Sequence, residues 1–271
     1  MCEIPPRPEP LPDADRNRKS GGMMKRSLVA LLTLLVLSPF SPAHAAEGMT
    51  VVITGANRGI GLEYARQFKA KGYTVIGTAR SPADAEELKA VADRVEALDV
   101  ADPESVAAFA ERLEGTPVDI LVNNAGIFPR EDVTLDKVDF DAFERTLVVN
   151  TFGPLRVTRA LLPNLRAGDR KTVIGMSSGL GSIERSNGRW YAYRSSKTAL
   201  NQINKILSEE FKEEGFIFTV VHPGWVRTDM GGENATYSPQ ESVAGLIAVI
   251  EGLGPEDNGR FYDFKGESIP W

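Results

Sequence analysis

Val51-Val52-Ile53-Thr54-Gly55-Ala56-Asn57-Arg58-Gly59-Ile60-Gly61 is the stretch that decides the fold of this chain. Three β-branched residues in a row read as a short strand buried on both faces, as in a parallel sheet. The strand ends at a glycine turn, and residues 60–70 then carry a helical pattern closed by Gly72. Outward from this unit the same alternation repeats. Strands are expected at residues 73–78, 95–98, 118–122, 172–176, 216–221 and 260–264. Helices are expected at 82–93, at 102–113, through Asn150 to about 165, at 190–214 and at 242–251. Pro82 suits a first helical turn, and Ser238-Pro239-Gln240-Glu241 has the spacing of a capping box. Strand and helix alternating throughout imply an α/β fold, a doubly wound parallel sheet with helices on both faces. No internal repeat or second domain is expected.

A chain of 271 residues is long enough to bury one sizeable core. Its formal net charge of −6 gives no basic footprint for nucleic acid. The first 48 residues differ in character from the rest. Residues 1–23 are Pro-rich and charged without periodicity, as in a disordered segment or an over-extended start. Residues 24–45 run from Lys25 and Arg26 through an apolar stretch, 28–37, to Ala43-His44-Ala45. A basic start, an apolar run of about ten residues and an A-x-A site are the parts of a secretory signal peptide, cleaved after Ala45. The run falls short of the roughly 20 apolar residues that span a bilayer. Cleavage would remove six basic and four acidic residues, leaving a net charge of −8 on residues 46–271. It would also remove Cys2, the sole cysteine, and with it any disulfide or lipid-attachment thiol. The expected location is then periplasmic or secreted, without stable membrane association. A start at Met49 would instead leave the protein in the cytoplasm.

Tyr193 and Lys197 stand four apart in Tyr193-Arg194-Ser195-Ser196-Lys197, on one face of the expected helix. A phenol titrates near ~10 in water, so at neutral pH it is protonated and can give a proton to a carbonyl oxygen. A nearby ammonium favours the phenolate, which lets the same group serve as acid or base. The pair alone is a weak signal, because the same spacing suits an ordinary amphipathic helix. Tyr191 is a second tyrosine nearby, but the residue four beyond it is Ser195. The glycine turn adds a nucleotide cradle. Gly55, Gly59 and Gly61 let the backbone bend tightly and approach a pyrophosphate over the N–H groups that open the helix. A carboxylate at the end of the second strand would select the 2′-hydroxyl of NAD. Thr78-Ala79-Arg80-Ser81 offers an arginine there, and Arg80, with Arg58 from the turn, can pair with a 2′-phosphate.

Taken in order, Thr54 to Gly61, Asn123-Asn124-Ala125-Gly126, Asn150, Ser177-Ser178, Tyr193 with Lys197, and Pro223-Gly224 resemble the short-chain dehydrogenase/reductase family over nearly all of residues 50–271. The resemblance implies one Rossmann-type domain on residues 46–271 that binds NADP(H), with NAD(H) less favoured. It implies a catalytic group of Asn150, Ser178, Tyr193 and Lys197 and no metal. Tyr193 would be the acid in carbonyl reduction and the base in alcohol oxidation. Lys197 would lower its pKa and hold the nicotinamide ribose. Ser178 would orient and polarise the substrate oxygen, and Asn150 would distort its helix and hold a proton-relaying water. Cofactor contacts are implied for Gly55, Asn57, Arg58, Gly59, Ile60 and Gly61 in the turn and for Arg80 beyond the second strand. Asp99 and Val100 would lie beside the adenine, and Asn123, Ala125 and Gly126 along the adenosine and ribose. Pro223, Gly224, Val226 and Thr228 would meet the nicotinamide amide and the phosphates, with Tyr193 and Lys197 completing the set. Ser177 and Ser178 face opposite ways on a strand, and family position selects Ser178. His222 is given no chemical role.

Met176-Ser177-Ser178, Tyr191-Ala192-Tyr193-Arg194, the run from His222 to Gly232, and Gly266-Glu267-Ser268-Ile269-Pro270-Trp271 go beyond the shared pattern. They resemble the carbonyl-reductase branch that includes the sniffer and C-factor proteins. That branch implies NADPH-dependent reduction of small aldehydes or ketones, in a homodimer or homotetramer paired through the helix of Tyr193. Two alternatives stand beside it. One is a dinucleotide-binding signalling or sensor protein of C-factor type. The other is an NAD-dependent alcohol dehydrogenase, which Arg80 disfavours.

Overall fold

The computed structural model describes residues 48–271, so the expected leader, with Cys2, lies outside the described residues. The strands are β1 (Thr50–Ile53), β2 (Thr74–Ala79), β3 (Arg94–Ala97), β4 (Ile120–Asn123), β5 (Thr172–Met176), β6 (Ile217–His222) and β7 (Arg260–Asp263). They form one sheet in the order β3-β2-β1-β4-β5-β6-β7, every neighbouring pair parallel. The helices are α1 (Gly59–Ala70), α2 (Glu86–Lys89), α3 (Pro103–Arg112), α4 (Phe140–Leu147), α5 (Gly153–Ala160), α6 (Leu162–Ala167), α7 (Tyr191–Glu210) and α8 (Pro239–Gly252).

Side chains alternate across a strand, so a strand covered on both faces must feed two cores. β1 does this. Val51 and Ile53 join Tyr64 and Phe68 of α1 and Leu246 and Ile247 of α8 on one face. Val52 joins Val106 and Phe109 of α3 and Val157 of α5 on the other. The doubly wound parallel sheet expected from the sequence is the observed architecture. Its strand order reverses between β1 and β4, and in such sheets the crevice beyond the carboxyl ends at the reversal receives the ligand. The capping box opens α8. The Ser238 hydroxyl accepts from the Glu241 N–H at 3.2 Å, and the Glu241 carboxylate accepts from the Ser238 N–H at 2.9 Å.

Three helical expectations need correction. The helix at 82–93 is only a 3₁₀ turn at Pro82–Asp84 followed by the single turn α2. Asp93 is drawn to the sheet instead: its N–H donates to the Val75 carbonyl, its side chain accepts from the Val75 N–H, and Lys69 binds its other oxygen. Leu88 alone of α2 is buried, and it fills the space beside Gly77. The long stretch through Asn150 is also not one helix. α4 passes into a π turn at Val148–Phe152, then into α5 and, after a break at Leu161, α6. Finally, the helix at 190–214 is α7 followed by a 3₁₀ turn at Lys212–Glu214, and Trp190 lies just outside it with a left-handed backbone.

Candidate active site

A cleft of about 450 Å³ opens at the reversal, walled by segments that follow β1 through β6. Its floor is the glycine turn. Gly55 and Gly59 hold left-handed backbones, φ 62° and 54°. A Cβ on Gly61 would stand 2.3 Å from the Gly55 carbonyl oxygen and 2.6 Å from the Asn124 amide nitrogen. That amide donates to the carbonyls of Thr54 and Gly55 at 2.9 and 3.0 Å, so the loop after β4 locks the turn in place. The N-cap of α1 is Arg58, whose side chain makes no capping bond. The N–H groups that open α1 therefore have no side-chain acceptor, as a helix start that binds an anion requires. Arg58 and Arg80 both line the cleft, and Arg58 reaches the Asp229 carboxylate at 3.2 Å, both side chains exposed. This floor and rim fit a dinucleotide pyrophosphate with a further phosphate.

Asn150, wholly buried in the π turn, fastens the catalytic end. Its side-chain oxygen accepts from the Ile127 N–H at 2.8 Å, and its amide donates to the Ile127 carbonyl at 2.9 Å and the Ser196 hydroxyl at 3.0 Å. One side chain thus ties α4–α5, the loop after β4 and α7 together. Lys197 is buried one turn beyond Tyr193, and its ammonium donates to the Met176 carbonyl at 2.7 Å. A Cβ on Gly126 would lie 3.3 Å from the Asn150 side-chain oxygen and 3.6 Å from the Lys197 nitrogen, so this glycine is where the two converge.

Burial dominates both ionisable groups. It pushes the Tyr193 phenol up to about 12, against a hydrogen bond with Ser178 that works downward. It lowers Lys197 to about 8. Low-dielectric surroundings disfavour the charged form of each, which raises the phenol and lowers the amine. The sequence suggested that Lys197 would set the phenol's pKa, whereas desolvation is the larger influence here. The Tyr193 ring stacks on Phe128, with centroids 4.2 Å apart. Ser177 lines the cleft but donates its hydroxyl to Asn201 at 2.6 Å, while Ser178 is the serine beside the phenol. His222 has its pKa lowered to about 4, chiefly by burial, and is neutral at ordinary pH.

Most of the residues expected at the cofactor site line the cleft: Gly55, Asn57, Arg58, Gly59, Ile60, Gly61, Arg80, Asp99, Val100, Ala125, Gly126, Tyr193, Lys197, Pro223 and Thr228. Asn123, Gly224 and Val226 are not among the lining residues. The Asn123 side chain turns away and donates to the Thr158 hydroxyl at 3.1 Å, while Asn124 reaches the glycine turn. Val226 is buried and pairs with the Tyr237 strand bridge, and Gly224 packs against the Tyr237 and Phe264 rings. Asp99 uses a carboxylate oxygen on the Ala101 N–H at 2.9 Å, a turn-capping bond, while still lining the cleft. The sequence missed Arg145, Asp229 and Asp84 on the wall. Asp84 puts a carboxylate on the same cleft lining as Arg80, because 82–84 form a 3₁₀ turn there.

The family model described as short chain dehydrogenase matches residues 49–238. The chain belongs to the short-chain dehydrogenase/reductase family of oxidoreductases. Within it, the chain is similar to C-signal of Myxococcus xanthus, 46% identical over 165 residues, which covers 60% of this chain and 99% of that protein. It is also similar to 1-hydroxy-2-glutathionyl-2-methyl-3-butene dehydrogenase of Rhodococcus sp., 34% identical over 82% of this chain and 99% of that one. Among solved structures, the carbonyl reductase Sniffer of D. melanogaster aligns with a TM-score of 0.78 at 30% identity, over 83% of this chain and all of that one. The NADPH-bound carbonyl reductase from chicken fatty liver aligns with a TM-score of 0.77 at 33% identity, again over 83% and 100%.

Proposed function

We propose that this chain is an NADP(H)-dependent oxidoreductase that reduces the carbonyl of small aldehydes or ketones. The observation that carries this reading is that Tyr193 and Lys197 line the cleft floored by Gly55, Gly59 and Gly61, with Ser178 beside the phenol. The uncapped first turn of α1 would hold the pyrophosphate, and Arg58 and Arg80 would pair with the 2′-phosphate. Likeness to a carbonyl reductase with NADPH bound supports the same cofactor. When bound, the reduced dinucleotide supplies a hydride to the carbonyl carbon. Ser178 and the Tyr193 phenol would hold the carbonyl oxygen between them. The phenol gives its proton to that oxygen as negative charge builds on it, and the Lys197 ammonium stabilises the phenolate left behind.

Tyr193→Phe should lower turnover of an aldehyde panel by roughly 10²–10⁴-fold, the usual worth of a positioned acid, and leave NADPH binding intact. Turnover equal to that of the unsubstituted protein would place the proton donor elsewhere and end this reading. The C-signal likeness supports a second reading, a signalling protein that binds dinucleotide. A turnover-dead Tyr193→Phe that kept its full biological effect would favour that reading.

A further inference from the structure

Tyr193 is the third residue of α7, and the chain enters that helix in an unusual way. Arg189 and Trp190 both hold left-handed backbones, at φ 67° and 56°. Bulky side chains avoid that region, and two in succession persist only where the surroundings impose them. Much of what holds them comes from one residue in the loop after β4. The backbone carbonyl of Asp132 accepts from the Trp190 N–H at 2.9 Å, and one of its carboxylate oxygens accepts from the Ala192 N–H at 2.6 Å. Asp132 is itself buried, and its other carboxylate oxygen has no partner. Nothing in the sequence marked this residue, which lies in a stretch without periodicity.

We infer that Asp132 is a positioning residue for Tyr193: it fixes the start of α7 and thereby the place of the phenol in the cleft. The helix-start N–H of Ala192 would otherwise have no acceptor, and a negative charge at a helix N-terminus is favourable. The same loop completes the mount through Phe128. That ring stacks on Tyr193 at 4.2 Å and meets Trp190 edge-on at 5.7 Å. One loop therefore holds the catalytic ring twice, by stacking on one face and by a cap on its helix. A phenol displaced by about 1 Å from its reacting position can lose on the order of 10²-fold in rate. The glycine turn is locked by Asn124, earlier in the same loop, through bonds that Asp132 does not make.

This rests on Tyr193 as the proton donor, and the test keeps the two separable. With 4-nitrobenzaldehyde as probe, Asp132→Ala should lower kcat by about 10–100-fold and leave the Kd for NADPH within twofold. Asp132→Asn retains an acceptor oxygen for the Ala192 N–H and should recover most of that loss. An unchanged kcat in Asp132→Ala overturns the inference. So does a parallel loss of kcat, NADPH affinity and thermal stability, or an Asn variant no better than Ala. A reading that needs neither a folded variant nor turnover is amide exchange in the full, unsubstituted chain. The Ala192 amide should exchange as slowly as the interior of α7, and fast exchange there refutes the hold. If Tyr193→Phe keeps full turnover, the proposed function fails, and the exchange result still decides what Asp132 does.

Discussion

Replacing Gly61 by Ala isolates the packing of the cofactor floor from its backbone conformation. Gly61 lies in the first turn of α1, and unlike Gly55 and Gly59 it has no left-handed backbone to protect. On propensity alone, alanine in a helix is favoured over glycine by about 1 kcal/mol. Space decides against it. The new methyl would stand 2.3 Å from the Gly55 carbonyl oxygen, 2.6 Å from the Asn124 amide and 2.9 Å from the Ala56 Cα. Two of these three are backbone, so little can yield without moving the turn. Overpacking of this kind costs about 1–3 kcal/mol, and displacing the Asn124 amide from one of its carbonyls costs about 1 kcal/mol more. Set against the propensity gain, the net destabilisation is about 1–3 kcal/mol. For a domain of this size each kcal/mol is roughly 2–4 °C, so the melting temperature should fall by about 2–12 °C. NADPH affinity, read by fluorescence titration, should fall at least tenfold, about 1.4 kcal/mol, because the displaced groups form the cradle. Gly252→Ala is the control, since no atom lies within 4 Å of its Cβ. A Gly61→Ala protein that melts no lower and binds NADPH as before would refute the close-packed floor.

Arg80→Asp should turn the NADPH-to-NADH preference toward NADH by roughly tenfold or more in paired titrations, since a charge-assisted bond to phosphate is worth ~1.5–3 kcal/mol; an unchanged ratio would remove Arg80 from the 2′-phosphate. Lys197→Met should abolish turnover yet raise the melting temperature at pH 7. Holding an amine whose pKa falls from 10.5 to about 8 as the chain folds costs about 3 kcal/mol in the charged form. Loss of the bond to the Met176 carbonyl returns about 1 kcal/mol of that, leaving a gain of about 2 kcal/mol. The cost is present below pH 8 and fades between 8 and 10.5, because there the unfolded chain still binds the proton that the folded chain has released. The advantage of the Met variant should fade over the same window, and one that persists at pH 10.5 would show the lysine pKa is not depressed.

What was legible in the sequence is what individual residues enforce locally. β1 and its turn were plain because β-branched residues and glycine carry conformational meaning wherever they stand. The capping box of α8 was plain because two side chains and two N–H groups define it. Asn123 and Asn124 were not separable, since which of two neighbours faces the cleft depends on where β4 releases the chain. Asn123 is its last residue and turns inward to Thr158. The short α2 was hidden because Asp93 is claimed by Val75, a contact made only once β2 is in place. Asp132 was hidden for the same reason: its partners are 60 residues away and exist only when the loop after β4 has met α7.

The pKa of Tyr193 was the feature of the site furthest from sequence reach, and it bears on the proton step. Proximity of a lysine suggested a depressed phenol, a group equally ready as acid or base. Burial instead lifts the phenol to about 12, and the same burial holds Lys197 near 8, where at neutral pH it is mostly charged. The resting pair is then a neutral phenol beside an ammonium. Carbonyl reduction consumes that form directly, since the phenol already carries the proton it must give. Alcohol oxidation must first make the phenolate, and a rise of about two units adds ~2.7 kcal/mol to that step at fixed pH. Desolvation therefore burdens the phenolate in both directions, whether oxidation starts from it or reduction leaves it behind, and the Lys197 ammonium beside it offsets part of that cost. Ser178, whose hydrogen bond alone opposes the shift, is the residue through which a substrate oxygen would relieve it.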